Sequence, residues 1–250
     1  MDVASTAAGC VAGALGMWAL MRHAPARVRM HPISMRLRGK GSPQEGWQPT
    51  QKQPAPYAAT TISMAPSDLR SPYFFGVSAV VPRPIAFVST VDGNGVRNLA
   101  PFSYFGLMGH EPLTVAFAPC SGRDGQDKDT LANIRHGHGE CVVHIVSDWF
   151  VEAANHTSET WAPEEDEFDL SGLTALPSVV VEPPRVAEAA VALECQLRQL
   201  VPIEDKTGKV GSTMCLMEVV HVHVHEEAFD TETGTVVAEA LRPMSRLGGN

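Results

Sequence analysis

Between residues 82 and 105 apolar and polar positions alternate with a period of two, broken once by Asp92-Gly93-Asn94-Gly95. Ile85, Phe87, Ser89 and Val91 alternate with Ala86, Val88 and Thr90, and β-branched and aromatic side chains dominate, which predicts a strand. The break supplies residues that tolerate positive φ, so it predicts a hairpin turn with residues 96–99 as the returning strand. Residues 100–104, Ala-Pro-Phe-Ser-Tyr, should then end the pairing, because proline has no N–H for a ladder. Further along, residues 113–118, 141–146, 179–181, 191–200 and the long run 212–225 predict strands. Residues 128–136 predict a helix with Asp129 as its N-cap and Gly137 just past its end, and residues 149–155 a second short helix. Residues 158–172 are acidic and irregular. Many strands and few short helices predict a mainly β fold, an antiparallel barrel with helical decorations.

Composition divides the chain. Residues 1–60 carry seven Lys/Arg and two Asp/Glu, whereas the remainder carries twelve and twenty-six. Residues 1–38 are rich in Ala, Met and Arg, with Asp2 as the sole acid, which predicts an organelle transit peptide and a mitochondrial destination, the alternative being a disordered start and a cytoplasmic chain. The apolar run at residues 10–21 resembles a signal-peptide core, but its basic residues follow the run instead of preceding it. Residues 39–67, rich in Pro, Gln, Gly and Ser, read as a linker, and residues 68–250 as the folded domain. The overall charge of -9 argues against a nucleic-acid partner. No stretch reaches the ~20 apolar residues that span a bilayer, so no membrane partner is expected. The five cysteines have no CxxC spacing, and Cys141, Cys195 and Cys215 lie in apolar runs, which favours reduced thiols over a disulfide framework.

Three places offer chemistry. The helix start near Asp129 leaves backbone N–H groups for an anion, with Lys128, Thr130 and Arg123 as added donors. Asp124, Asp127 and Asp129 must then point away or cap. Residues 98–104 offer Asn98, Ser103 and the amides around Ala100. Each segment alone is equally consistent with an ordinary capped helix and an ordinary strand end. His221, His223 and His225 alternate, so a strand turns all three to one face, which suits zinc or iron. No carboxylate is obviously placed to support such a site, although Glu218, Glu226 and Glu227 are close in sequence, and a half-exposed strand face with Val220, Val222 and Val224 turned to the core accounts for the pattern; no metal is expected. The acidic run 164–167 reads as a solvated loop. The chain has no G-x-S-x-G and no G-x-G-x-x-G at a strand-to-helix turn.

Five segments in order, RPIAFVST, NLAPFSYF, KDTLANI, PPRVAEAAVALEC and LRPMSRLGG, resemble the flavin reductase-like family of FMN-binding split barrels. The resemblance covers residue 71 to the end. It implies a six-stranded antiparallel Greek-key-like split barrel, a homodimer with FMN near the interface, and hydride transfer from NADH or NADPH to flavin. It also implies ring or ribityl contacts from Ser89, Thr90, Asn98, Ala100 and Ser103. Phosphate contacts are implied from the segment Lys128-Asp129-Thr130, with Arg83 or Arg123; Arg83 alternatively braces the barrel. Arg246 belongs to a closing motif that lies near the flavin. Related chains continue past that motif, so the stop at Asn250 reads as a truncated end. The alternatives are a non-enzymatic FMN carrier or electron-transfer protein, and a metal-binding barrel. A flavin-dependent acceptor enzyme is the further partner such a reductase would serve.

Overall fold

The computed structural model describes residues 48–52, 61–122 and 124–248. The predicted presequence, residues 1–38, lies outside them, as do Arg123 and the last two residues. The larger of two compact units runs from Met64 onward. No helix among the described residues is long and apolar enough to cross a membrane.

The unit opens with helix α1 (Pro72–Ala79), capped by the Ser71 hydroxyl, which accepts from Phe74 N. Then come β1 (Arg83–Pro84), β2 (Ala86–Val91), β3 (Arg97–Phe102), β4 (Phe105–His110) and β5 (Leu113–Phe117). Helix α2 (Asp129–His136) precedes β6 (Glu140–Ile145). Two short helices, α3 (Val151–His156) and α4 (Glu167–Ser171), are followed by β7 (Ala175–Leu176) and β8 (Arg185–Val186). The long strands β9 (Val191–Glu204) and β10 (Val210–Val224) come next. The chain ends with β11 (Phe229–Asp230), β12 (Thr235–Val236), α5 (Ala238–Leu241) and β13 (Ser245–Arg246).

Seven strands form one antiparallel sheet in the order β3-β2-β6-β9-β10-β5-β4. The predicted mainly β, antiparallel class is observed, with seven strands where six were expected. The extra strand is β4, whose short apolar pattern is interrupted by Gly106 and Gly109. β3 and β4 occupy opposite ends of this order, yet only Ser103 and Tyr104 separate them. Three peptide steps reach about 11 Å at most, so the sheet must roll until its ends meet. Phe102 on β3 and Phe117 on β5 accordingly stack at 5.4 Å between ring centroids. The ends meet without pairing, which is the split of a split barrel.

Inside the roll, Ala86, Val88, Phe102, Val115, Phe117, Val143 and Met217 form the main core, closed by Leu131 and Ile134 of α2. The free thiols of Cys141, Cys195 and Cys215 are buried here, and burial pushes Cys215 up to about 12. On the outer face Phe87 and Leu99 pack against Phe150, Ala154 and Phe168. The buried His144 ring bridges this layer. Its Nδ1 lies 2.8 Å from Phe87 O, and its Nε2 accepts from Val186 N at 2.9 Å, which fixes the neutral Nδ1–H tautomer.

β3 continues through Pro101 to Phe102, against the expected stop. It is an edge strand, so Pro101 withholds an N–H only from the open side. On that same side the Leu99 amide donates to the buried Glu167 carboxylate at 3.0 Å. Asp166 caps α4 through Phe168 N and, with Asp169, pairs with Arg97. Glu164 and Glu165 of the acidic run are exposed, as a solvated loop would be, but Asp166 and Glu167 clamp the edge of β3. Residues 179–181, predicted as a strand, are a bent segment over the outer face of the sheet.

Two buried groups pull stability in opposite directions with pH. Burial lowers His144 to about 4 from 6.5, so its contribution is full above pH 6.5 and is lost as pH falls toward 4. Burial raises Glu167 to about 7 from 4.5, so its contribution is full below pH 4.5 and is lost as pH rises through 7. Each amounts to about 3 kcal/mol. The two offset each other between pH 4.5 and 6.5. Urea unfolding of Glu167→Gln should lose about 2–3 kcal/mol across that window on acidification, while the parent chain stays nearly level. A parent chain that loses as much as the variant would show that Glu167 carries no such shift, and a level variant that His144 carries none.

Candidate functional site

Helix α2 is fixed to the β2–β3 hairpin by a buried polar joint. Thr90 and Asn98 stand opposite each other in the ladder, so their side chains leave the same face. Asn98 Nδ2 donates to Thr90 Oγ1 at 3.1 Å and to Thr130 Oγ1, in the first turn of α2, at 2.8 Å. Asn133 Nδ2 donates to Thr90 Oγ1 at 3.0 Å. A primary amide carries two hydrogens on one nitrogen, which lets Asn98 serve both hydroxyls at once. Each hydroxyl, having accepted, keeps its own hydrogen to donate.

This joint holds the start of α2 at the surface. Lys128 is the extended N-cap residue and is exposed, and its carbonyl accepts from Leu131 N at 2.8 Å and Ala132 N at 2.9 Å. Asp129 is therefore the first helical residue and not the predicted N-cap, and no side chain caps the helix. The earliest amides of a helix have no intrahelical acceptor; with the dipole and the Lys128 charge they make a place for an anion. Two acids that would oppose one are turned aside. Asp127 pairs with Arg135 at 2.7 Å, and Asp124 accepts from Gln126 N at 3.0 Å.

The remaining acids hold their protons more tightly than usual. Burial raises Asp129, opposed by Lys128 and reinforced by Glu164. Burial also raises Glu167, opposed by the Leu99 amide and reinforced by Asp129 and Asp166. With Glu167 raised to about 7, its charge beside α2 is reduced near neutral pH.

The other predicted residues fall into two groups. Ala100 continues the inner face of β3 beyond Asn98 and packs against the core. Ser103 sits at the β3–β4 corner, where its hydroxyl accepts from Arg83 Nε at 3.4 Å. Arg83 is 6% exposed and donates through Nη1 to Val77 O at 2.5 Å and Val80 O at 2.7 Å. It thus braces the corner, and its Nη2 is the one buried side-chain nitrogen or oxygen among the described residues with no partner. Arg246 is exposed and stands opposite Arg83 in the β1–β13 ladder. Ser89 lies on the other face of β2 and donates to Pro184 O at 2.5 Å. Ser89 and Thr90 are both fully buried, so neither side chain is open to a ligand; they position their neighbours.

Sequence reasoning passed over Asn133 and Glu167. Asn133 is three residues after Thr130, on the same helix face, a spacing that could have found it. Glu167 had no such signal, because its partner is a backbone amide on a distant strand.

Asn98→Ala leaves the buried Thr90 and Thr130 hydroxyls without their shared donor. It should lower unfolding free energy by about 2 kcal/mol and loosen α2, seen as faster amide exchange at residues 130–134. Unchanged stability and exchange would show that the joint does not hold the helix.

Residues 77–240 match the flavin reductase like domain. An uncharacterised protein of Halalkalibacterium halodurans is 42% identical over 174 residues, covering 70% of this chain and 82% of that protein. Among solved structures, nitrilotriacetate monooxygenase component B from Bacillus cereus is 33% identical, with a TM-score of 0.73 over 77% of this chain and 94% of that one. The 2-nitrobenzoate 2-nitroreductase NbaA of Pseudomonas fluorescens is 30% identical, with a TM-score of 0.65 over 76% and 89%. The split barrel, the ordered motifs along it and these matches agree: the chain belongs to the flavin reductase like family, and its chemistry is that of a flavin-linked oxidoreductase.

Proposed function

We propose that the chain binds FMN along β3 and the start of α2 and uses NADH or NADPH to reduce it. The observation that carries this is the Asn98 joint, which rigidly presents Lys128 and the first turn of α2 beside the β2–β3 hairpin. The residues fit the group at both ends. Lys128 and the first-turn amides suit a phosphate, with Thr130 supporting the turn. The half-buried Ser103 hydroxyl, held at the β3–β4 corner by Arg83, supplies a donor for a carbonyl-bearing ring. When bound, FMN would supply hydride acceptance from a nicotinamide, chemistry that no side chain here provides.

The protein's part is to hold and to orient. Without a dinucleotide-binding G-x-G-x-x-G turn, the nicotinamide nucleotide binds transiently. Exposed apolar residues on α1 (Tyr73, Phe74 and Phe75) and on β4 (Leu107 and Met108) support a homodimer. Residues 1–38 are proposed to direct the chain to mitochondria. A protein that holds FMN without turning over nicotinamide is the second reading, favoured by the absence of any side chain placed to act as acid or base on β3.

The visible spectrum of the purified chain with FMN, followed without oxygen as NADH or NADPH is added, separates the two. Bleaching supports the reductase, retained colour a carrier, and no flavin binding with no turnover would overturn both. Lys128→Ala should weaken FMN binding by about 10- to 100-fold, equivalent to about 1.5–3 kcal/mol, while riboflavin, which lacks the phosphate, binds as before. Equal losses for both ligands would remove Lys128 from a phosphate site.

A further inference from the structure

The outer face of the sheet carries a second polar cluster, on the side of β2 away from Thr90 and Asn98. Ser89, Val142, Glu194 and His221 lie in one row across β2, β6, β9 and β10. Thr90 is the next residue along β2, so its side chain leaves the opposite face.

A β-bulge creates this cluster. Up to Val219, alternate residues of β10 enter the barrel, with Cys215 and Met217 in the main core. Val219 pairs with Cys195, but His221 pairs with Glu194, leaving Val220 as an extra residue. The extra residue flips the parity of the strand. Without it, His221 and His223 would point into the barrel; with it, both stand over Glu194. Val222, paired with Leu193, is turned to the barrel face by the same shift and is 47% exposed there.

Glu194 is fully buried and rigidly held. Its Oε1 accepts from Val179 N at 2.7 Å and meets His223 Nε2 at 2.5 Å. Its Oε2 accepts from Val180 N at 2.6 Å and Val181 N at 3.1 Å. Its one ion-pair partner among the described residues is His223, so no Lys or Arg neutralises this buried carboxylate. The His221 and His223 rings lie 4.8 Å apart. One ligand atom from each of Glu194, His221 and His223 falls within 4.8 Å of the others. An ion with bonds of about 2.1 Å sets tetrahedral ligand atoms about 3.4 Å apart. His223 Nε2, now 2.5 Å from Glu194 Oε1, need move outward by only about 1 Å to reach that spacing.

We propose that Glu194, His221 and His223 bind a divalent cation of the zinc class. Two imidazoles and one carboxylate are the donor set for such ions, with the remaining position left to water. The ion takes the place of the hydrogen shared by Glu194 and His223, whose ring then carries its proton on Nδ1. The three amides of residues 179–181 orient the carboxylate from behind, as outer groups do in metal sites. The ion supplies the positive charge that the buried carboxylate lacks and pins the bent segment 179–181 to the sheet.

The test uses the full chain, freed of metal by chelator and dialysis, then titrated with zinc chloride against a coloured zinc indicator. One equivalent per chain at micromolar affinity or tighter is expected. His221→Ala leaves the Glu194–His223 bond and the three amide bonds in place, so it should fold; circular dichroism checks this. It should weaken zinc binding by at least about tenfold, with FMN binding unchanged. Cobalt(II) substituted into the parent chain should show visible bands that the variant loses. Substoichiometric zinc binding by the parent, or equal affinity in the folded variant, would overturn the proposal, the latter by assigning the ion to other histidines.

Discussion

The fold depends on a two-residue link. Strands β3 and β4 are the two ends of a seven-stranded sheet, and Ser103 and Tyr104 alone join them. That short tether forces the sheet to roll, brings Phe102 against Phe117, and makes a core on the concave side. It also sets a problem, because rolling without closure leaves β3 as an edge. The chain answers it in three ways. Pro101 has no outward N–H to offer, the outward amide of Leu99 is taken by Glu167, and Arg97 is tied to Asp166 and Asp169. Arg83 braces the same corner from the other side by bonding the carbonyls of Val77 and Val80.

The site follows from that arrangement. With β3 held, Asn98 can span from β2 to α2 and serve two hydroxyls from one nitrogen. α2 is then both the plug of the barrel, through Leu131 and Ile134, and the part that presents Lys128 to solvent. The polar groups most deeply placed, Thr90 and Ser89, do not face outward at all. They set the positions of the groups that do. The unusually tight proton on Glu167 belongs to the same design, since it reduces negative charge where the helix start would draw an anion.

Much of this was legible in the residues, and the failures have physical causes. The hairpin at residues 92–95 was legible because only certain residues accept its backbone. α2 was legible from its end signals, with Gly137 past its last turn as expected and the N-cap one residue earlier than expected, at Lys128. β4 was not, because glycines interrupt a short strand. The stop at Pro101 was misjudged because the penalty for proline depends on which side of a strand is paired, a fact of sheet order. Glu167 was misjudged because four adjacent acids look alike until one of them meets a buried amide 68 residues away. His221 and His223 were correctly read as sharing one face, but His225 falls past the end of the strand and a single extra residue decided which face.

Ser89 and Thr90 are neighbours on β2, yet one serves the outer layer and the other the joint with α2. A deletion or insertion of one residue anywhere in β2 would exchange those duties and empty both layers together. Extra residues are taken up without that cost where strands turn, at hairpins such as 92–96 and 205–209, or where a bulge absorbs them, as at Val220 of β10. β2 itself must stay fixed in length while its composition drifts, and it serves as the ruler against which both faces of the barrel are measured.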